Sequence, residues 1–334
     1  MLKVGLIGTG AIGRTHIERI NNKCAGAKVV ACADVNAPFG KTVAEKYDLK
    51  FFEKGEDLIN SDEVDAILIA TSDAYHEQFA IAGLKAGKWV FCEKPMAPTA
   101  EACRRIVDVE MAGGKHLMQV GFMRRYDAGY KQLKEAIDNE TYGLPLLLHC
   151  AHRNPSEVEP WDNSSAVSNS LVHEIDVIRW LLGEDYATAE LRFTKNSRRS
   201  KEGLHDPQCL ILTTKSGVRI DVEHSAFNGH CYDIKCEVVC EDGILNLPHP
   251  ANIEILANAF RGSAVDKEWA TRFETAYDIE LQAWINGCLG GYVDGPTAWD
   301  GYACQVAAAA AGKARETQTI VPIVYDEKPD FYKK

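Results

Sequence analysis

Six residues near the N-terminus, Gly8-Thr9-Gly10-Ala11-Ile12-Gly13, constrain this chain more than any other stretch. They follow a short apolar run, Lys3 to Ile7, and lead into Arg14 to Ile20, whose apolar residues have helical spacing. A strand that turns through G-x-G-x-x-G into a helix is the context in which the pattern carries meaning; elsewhere it reads as a plain glycine turn. Gly8 permits the tight turn, Gly10 lets a pyrophosphate approach the backbone, and Gly13 lets helix and strand pack closely. The N–H groups at the start of that helix, with Ala11 and Ile12 among its first residues, favour an anion. A second strand, Lys28 to Ala33, ends at Asp34 and Val35. An acid there accepts hydrogen bonds from ribose hydroxyls and repels a 2′-phosphate. Together these features predict a dinucleotide site that prefers NAD to NADP.

The alternation continues as far as residue 121. Helices are expected over Thr42–Tyr47, His76–Ala86 and from Thr99 onward, with strands over Val64–Ala70, Trp89–Pro95 and Leu117–Gly121. Strands separated by helices give a doubly wound parallel sheet, an α/β Rossmann arrangement. Thr71, Ser72 and His76 fall at the same strand-end edge as the glycine loop and join the candidate cofactor set. A histidine opening a helix there reads first as a wall or cap. Pro95 cannot donate to a sheet ladder, so its strand stops at Glu93-Lys94. Ligands of open parallel sheets bind at that edge. Lys94, beside Glu93, is therefore a candidate catalytic group that also touches the cofactor and substrate.

Charge and composition narrow the partners. A formal net charge of −11 argues against nucleic acid and against an anionic membrane surface. No apolar run approaches the ~20 residues of a membrane span. The chain enters a strand at once, which leaves no room for a leader peptide. Eleven scattered cysteines without a C-x-x-C pair read as reduced thiols in a cytoplasmic protein, and Cys236 and Cys240 lack the further ligands zinc needs. No metal is expected.

After Tyr126 the rhythm changes. Strands are expected over Leu144–His149, Ala189–Thr194, Gln208–Thr213, Gly217–His224, Tyr232–Val239 and Gly243–Leu247, with hairpin turns at Lys215-Ser216-Gly217 and Glu241-Asp242-Gly243. This predicts an α+β domain built on a large, mostly antiparallel open sheet. The boundary falls near residue 122, giving domains 1–122 and 123–334, and an alanine-rich helix within 296–315 can return to the first. A helix over Ser168–Leu182 carries Asn169 and His173 four apart, on one face, with Val172, Ile175, Ile178 and Leu182 toward the core. His173 reads either as a satisfied structural histidine or as a catalytic one, and Asn169 either as a cap or as a site residue.

Glycine loop, Glu93-Lys94-Pro95 and His173-Glu174-Ile175-Asp176, in this order, resemble the glucose–fructose oxidoreductase/inositol dehydrogenase superfamily. Three further blocks, Val120 to Asp127, Cys150 to Pro155 and Gly295 to Gly301, resemble the bacterial myo-inositol 2-dehydrogenases. The resemblance covers nearly the whole chain. It implies NAD-dependent oxidation of a ring hydroxyl, with Lys94 and His173 as a catalytic pair closing across an interdomain cleft. It implies Arg124, His152, Asn154, Asn169, Ser170 and Tyr232 around a cyclic polyol, Asp34 on the adenosine ribose, and a homotetramer built through the open sheet.

The chemistry suits these roles. Removing an alcohol proton at neutral pH needs a positioned base, and histidine, with an ordinary pKa of ~6.5, qualifies. The developing alkoxide wants a positive charge, which a lysine supplies. One position departs from the family pattern: where relatives carry an aspartate four residues before the histidine, this chain has Asn169. An amide orients the ring or binds a hydroxyl but adds no charge. Asn169 reads as a neutral orienter in the catalytic set, as a sign of another polyol such as scyllo-inositol or a pyranose, or as a weakened site. Myo-inositol oxidation to 2-keto-myo-inositol leads, ahead of another polyol dehydrogenase and of a non-catalytic NAD-binding sensor.

Overall fold

The computed structural model describes residues 1–157, 161–249 and 253–333. The chain divides into two compact units: residues 1–123, 277–306 and 325–334 form the first, and 124–276 with 307–324 form the second.

The first unit opens with β1 (Leu2–Ile7), α1 (Ala11–Asn22), β2 (Ala27–Ala33), α2 (Ala37–Tyr47), β3 (Lys50–Phe52), α3 (Gly55–Ile59), β4 (Ala66–Ile69), α4 (His76–Lys85), β5 (Trp89–Glu93), α5 (Ala100–Gly113) and β6 (Met118–Gly121). The six strands are parallel, in the order β3-β2-β1-β4-β5-β6. Chain order reverses between β1 and β4, and the crevice at the carboxyl ends of those strands is where such sheets bind ligands. The strand interiors are apolar throughout because helices cover both faces; Val4, Ala66, Ile67, Leu68, Val90 and Phe91 are fully buried. Helix ends follow local chemistry. Asn36 accepts the Phe39 N–H at the start of α2, Thr99 accepts the Ala102 N–H at the start of α5, and Gly114, with φ of 68°, closes α5.

The second unit contains α6 (Ala128–Asp138), β7 (Pro145–Arg153), α7 (Val172–Leu182), β8 (Tyr186–Phe193), β9 (Gln208–Thr214), β10 (Arg219–Ser225), β11 (Asp233–Cys240), β12 (Ile244–Asn246), a small hairpin of β13 (Glu254–Ala257) and β14 (Phe260–Ser263), and the short helix α8 (Trp269–Arg272). The chain ends with α9 (Glu274–Gly290), α10 (Ala298–Thr317) and β15 (Val321–Pro322). Seven strands pair in the order β12-β11-β7-β10-β9-β8-β15; β7 and β10 are parallel, and the other pairs are antiparallel. Burial alternates along β9, β10 and β11, the mark of a sheet with one covered face.

Residues 277–306 were expected in the second domain up to residue 296, and they belong to the first unit. Leu281, Trp284, Ile285 and Cys288 of α9 pack into the same core as β1, β2 and β4. The sequence reading had no helix there. The helix is apolar on more than one side, so it lacks the single-face periodicity that marks a surface helix. The exposed hairpin β13–β14 and the short β3 and α3 were likewise unread.

Helix α7 also differs from its expected form. A π-helical stretch, Ala166–Leu171, precedes it, and its N-cap is Leu171 with no side-chain capping bond. Asn169 is not the cap. Asn169 is exposed while His173 is buried. From Val172 to Ile178 every residue is buried, and Leu181 takes the core place expected of Leu182, which is only half-buried.

Candidate active site

In the first unit the glycine loop leaves β1 and enters α1 without an intervening residue that could clash. Gly8 has φ of 96°, and a Cβ there would lie 2.5 Å from the Ala70 carbonyl oxygen. A Cβ on Gly13 would meet the Gly8 carbonyl oxygen at 2.1 Å. Both must be glycine for the strand, the loop and the helix to approach as they do. A Cβ on Gly10 would meet nothing within 4 Å, so the loop faces open space there, beside the first N–H groups of α1, Ala11 and Ile12.

Asp34 follows β2. Its Oδ2 accepts the Thr9 N–H at 2.7 Å and the Thr9 hydroxyl at 2.6 Å, and its Oδ1 accepts the Asn36 N–H at 2.8 Å. A carboxylate offers about four lone-pair sites, so acceptor capacity remains for a diol. Val35 stands almost wholly exposed beside it. Thr71 and Ser72 follow β4 at the same sheet edge. His76 is buried and spans two carbonyl oxygens: Nδ1 lies 2.8 Å from Pro95 O and Nε2 3.1 Å from Thr71 O. It ties the turn after β4 to the segment after β5. The donors, the open cradle and the acidic ribose partner fit NAD, which Gly8, Gly10, Ala11, Ile12, Gly13, Asp34 and the Thr71 turn could hold.

Lys94 is half-buried directly after β5. Glu93, at the end of β5, is buried, and its Oε2 accepts the Lys94 N–H at 3.2 Å. Burial pushes the Glu93 carboxyl up, but the hydrogen bond and charge of His16, followed by the charge of Lys94, outweigh it and hold the group below its ordinary value.

The second unit holds a dense polar cluster on the covered face of its sheet. Arg124 is fully buried; its Nη1 donates to Glu174 Oε1 and its Nη2 donates to Tyr232 Oη at 3.3 Å. His152 Nδ1 lies 2.9 Å from Glu174 Oε2. A carboxylate oxygen only accepts, so Nδ1 carries a proton. The 3.3 Å approach of Arg124 Nη2 to the same Nδ1 is then donor facing donor, not a hydrogen bond. Burial pushes the Glu174 carboxyl up, but Arg124 and then His152 bring it down to about 2. Tyr232 is raised by burial and stays a neutral phenol.

His173, on α7, is buried with its ring centroid 6.3 Å from that of His152. Asn154 and Ser170 are also buried, and Asn154 Nδ2 has no hydrogen-bond partner among the described residues. Its backbone is pinned on both sides, N–H to Ser225 O and carbonyl to the Asn228 N–H. The second unit thus brings together Arg124, His152, His173 and Tyr232; Asn154 and Ser170 are buried in the same unit, and Asn169 is exposed.

Three neighbours escaped the sequence reading. Glu174 neutralises Arg124 and orients His152. Asp176 holds Arg125 through two bonds, 2.9 and 2.5 Å. His224 lies opposite His152 in the β10–β7 pairing, its ring 5.5 Å from that of His152 and stacked on Trp161. Burial, then the charge of His152, lowers His224 to about 3, so it stays neutral. Two acidic residues, Glu174 and Asp176, two apart within an otherwise apolar helical run would have signalled the first two; nothing local marks His224.

Among the described residues no group of three or more histidine, cysteine or acidic side chains could hold a metal ion, and no helix is long and apolar enough to cross a membrane.

Residues 2–122 match the oxidoreductase family, NAD-binding Rossmann fold, of the GFO/IDH/MocA group, and residues 134–323 match its C-terminal alpha/beta domain. The chain is 47% identical to the inositol 2-dehydrogenase of Pseudomonas fluorescens (strain SBW25), covering 99% of each chain. It is also 47% identical to the inositol 2-dehydrogenase of Klebsiella pneumoniae subsp. pneumoniae, covering 100% of this chain and 99% of that one. Among solved structures, it resembles the myo-inositol dehydrogenase of Lactobacillus casei in complex with NAD(H) and myo-inositol, with a TM-score of 0.97, 37% identity and full coverage of both chains. With both family domains matched in order and relatives aligned end to end, the chain belongs to the GFO/IDH/MocA family of NAD-binding oxidoreductases.

Proposed function

We propose that this chain oxidises the 2-hydroxyl of myo-inositol to give 2-keto-myo-inositol, with NAD as the oxidant. The observation that carries the reading is the buried cluster of Arg124, Glu174, His152, Asn154 and Tyr232. Burying so many polar groups is costly unless they serve one another or a polar ligand. A ring bearing a hydroxyl on every carbon is such a ligand. NAD, when bound, supplies the hydride acceptor. His173 takes the hydroxyl proton, and the Lys94 ammonium offsets the charge that develops on oxygen. Arg124, His152, Asn154, Ser170 and Tyr232 fix which carbon reacts. Neutral Tyr232 donates or accepts, Asn154 donates through Nδ2, and Glu174 keeps Arg124 and His152 in one geometry.

Asn169 favours a second reading, in which scyllo-inositol or a pyranose is the better substrate, because an amide four residues before His173 leaves the base without a carboxylate. Initial rates of NAD reduction with myo-inositol, scyllo-inositol and glucose, side by side, separate the two. The highest kcat/KM with myo-inositol supports the first. A preference for either other sugar transfers the reading to it, and NADH binding with no turnover of any polyol supports a sensor instead.

The same reading includes a cytoplasmic homotetramer assembled through the uncovered face of the seven-stranded sheet. In its support, that face carries exposed Ile244 and a cavity of about 500 Å³ lined by His149, Arg153, Glu223 and Lys235 among others. A monomeric mass by light scattering contradicts it.

A further inference from the structure

Resting on the proposed role of Lys94, we propose that His16 is a positioning residue for it: the imidazole anchors Glu93 to the helix of the cofactor loop, and Glu93 anchors Lys94. His16 lies on α1, three residues after Gly13, and its side chain is wholly buried. Its Nε2 is 2.7 Å from Glu93 Oε1. That oxygen only accepts, so Nε2 carries the proton. The other oxygen, Oε2, takes the Lys94 N–H. One carboxylate therefore bridges two elements, with one oxygen on the helix and one on the lysine's backbone.

The surroundings hold this bridge in a single place. The His16 ring meets Phe91 edge-on at 6.1 Å and Tyr277 at 5.9 Å. Phe91 in turn packs edge-on against Trp284 at 5.5 Å. On the next strand, Gly121 lies opposite Glu93, and a Cβ there would come within 3.1 Å of Oε2 and 3.2 Å of the Phe91 ring. A buried carboxylate without its partner is costly, so removing His16 obliges Glu93 to move or to protonate. A carboxyl that moves releases the Lys94 backbone, and one that protonates loses the charge that strengthens that bond. An imidazole whose task were packing alone would have no need to face a carboxylate that also holds the residue beside the reacting oxygen.

Three quantities test this on the full-length enzyme: kcat, KM for myo-inositol, and the NADH dissociation constant from fluorescence titration. In His16→Leu, kcat falls about 10- to 100-fold, as expected for a displaced catalytic group. KM and the NADH constant stay within about threefold. His16→Gln, whose Nε2 can donate to Glu93, recovers most of the loss. In a Lys94→Ala background, itself strongly impaired, His16→Leu costs less than about twofold more. An unchanged kcat, a loss of NADH affinity equal to the loss of kcat, or the same fold-loss in both backgrounds overturns the proposal. Full activity in Lys94→Ala by itself overturns the underlying role of Lys94, a separate result. Should His16→Leu fail to fold, Glu93→Leu decides: it has no acceptor for His16 or for the Lys94 N–H, and unchanged kcat there overturns the proposal as well.

Discussion

The two units of this protein place charge in opposite ways. In the first, the site is made largely of backbone: a glycine loop, the N-terminus of α1 and a turn after β4, with Asp34, His76, Lys94 and the His16–Glu93 pair as its ionisable parts. In the second, the site is made of side chains. Arg124, Glu174 and His152 come from a segment before α6, from α7 and from β7, and they neutralise one another away from water. A backbone site tolerates changes of side chain so long as its glycines stay. A side-chain site fails when one member is lost, because the remaining charges stay buried without partners.

That contrast is open to breakage at several points. The largest effect belongs to the proposed chemistry itself: His173→Ala and Lys94→Ala should each lower kcat by about 10²- to 10⁴-fold with the fold intact, read by steady-state rates and circular dichroism. Next comes Arg124→Leu. It leaves Glu174 buried with only its His152 contact and should cost roughly 3–5 kcal/mol in stability by denaturant titration, while the double variant Arg124→Leu/Glu174→Leu recovers a large part. If the single variant unfolds no more easily than the parent, the second unit does not depend on its charges as described.

A smaller effect is expected from pH. His224 sits near 3 when folded, below the ordinary 6.5 of the unfolded chain. The unfolded state therefore binds the proton first, and stability is lost as pH falls from about 6.5 toward 3, by roughly 1.4 kcal/mol per pH unit. Glu174, at about 2 when folded against 4.5, adds a second loss as pH falls below about 4.5. His224→Phe should flatten the upper part of a Tm-against-pH curve and leave the lower part; an unaltered slope between pH 6.5 and 5 contradicts the assignment. The smallest effect is Asp34→Ser, which removes a repulsive charge and should shift the NADP-to-NAD ratio of kcat/KM by about 10-fold toward NADP, with little effect on stability.

How much of this the sequence carried follows the same division. Glycine loop, Asp34 and Glu93-Lys94-Pro95 could be read directly because each function sits within a few residues of its structural cause, a turn, a strand end or a proline. The parallel sheet was legible for the same reason. Helix α9 was not, because its burial is set by a core formed some 200 residues earlier and not by its own periodicity. Arg124 and His152 entered only through resemblance. Their partner Glu174 was overlooked because an acidic residue next to a candidate base reads as solvent-facing until the fold brings a guanidinium 50 positions away against it. The start of α7 at Val172 rather than at Asn169 was not legible because a π-helical turn leaves no mark in apolar spacing.

The central claim is that hydride leaves C2 of the ring while His173 takes the hydroxyl proton. Myo-inositol deuterated at C2, turned over with NAD and followed by NMR, tests it most directly. The account predicts deuterium at C4 of the reduced nicotinamide, in step with the release of 2-keto-myo-inositol. Product formed without that label, or the label retained on the ring, would contradict it.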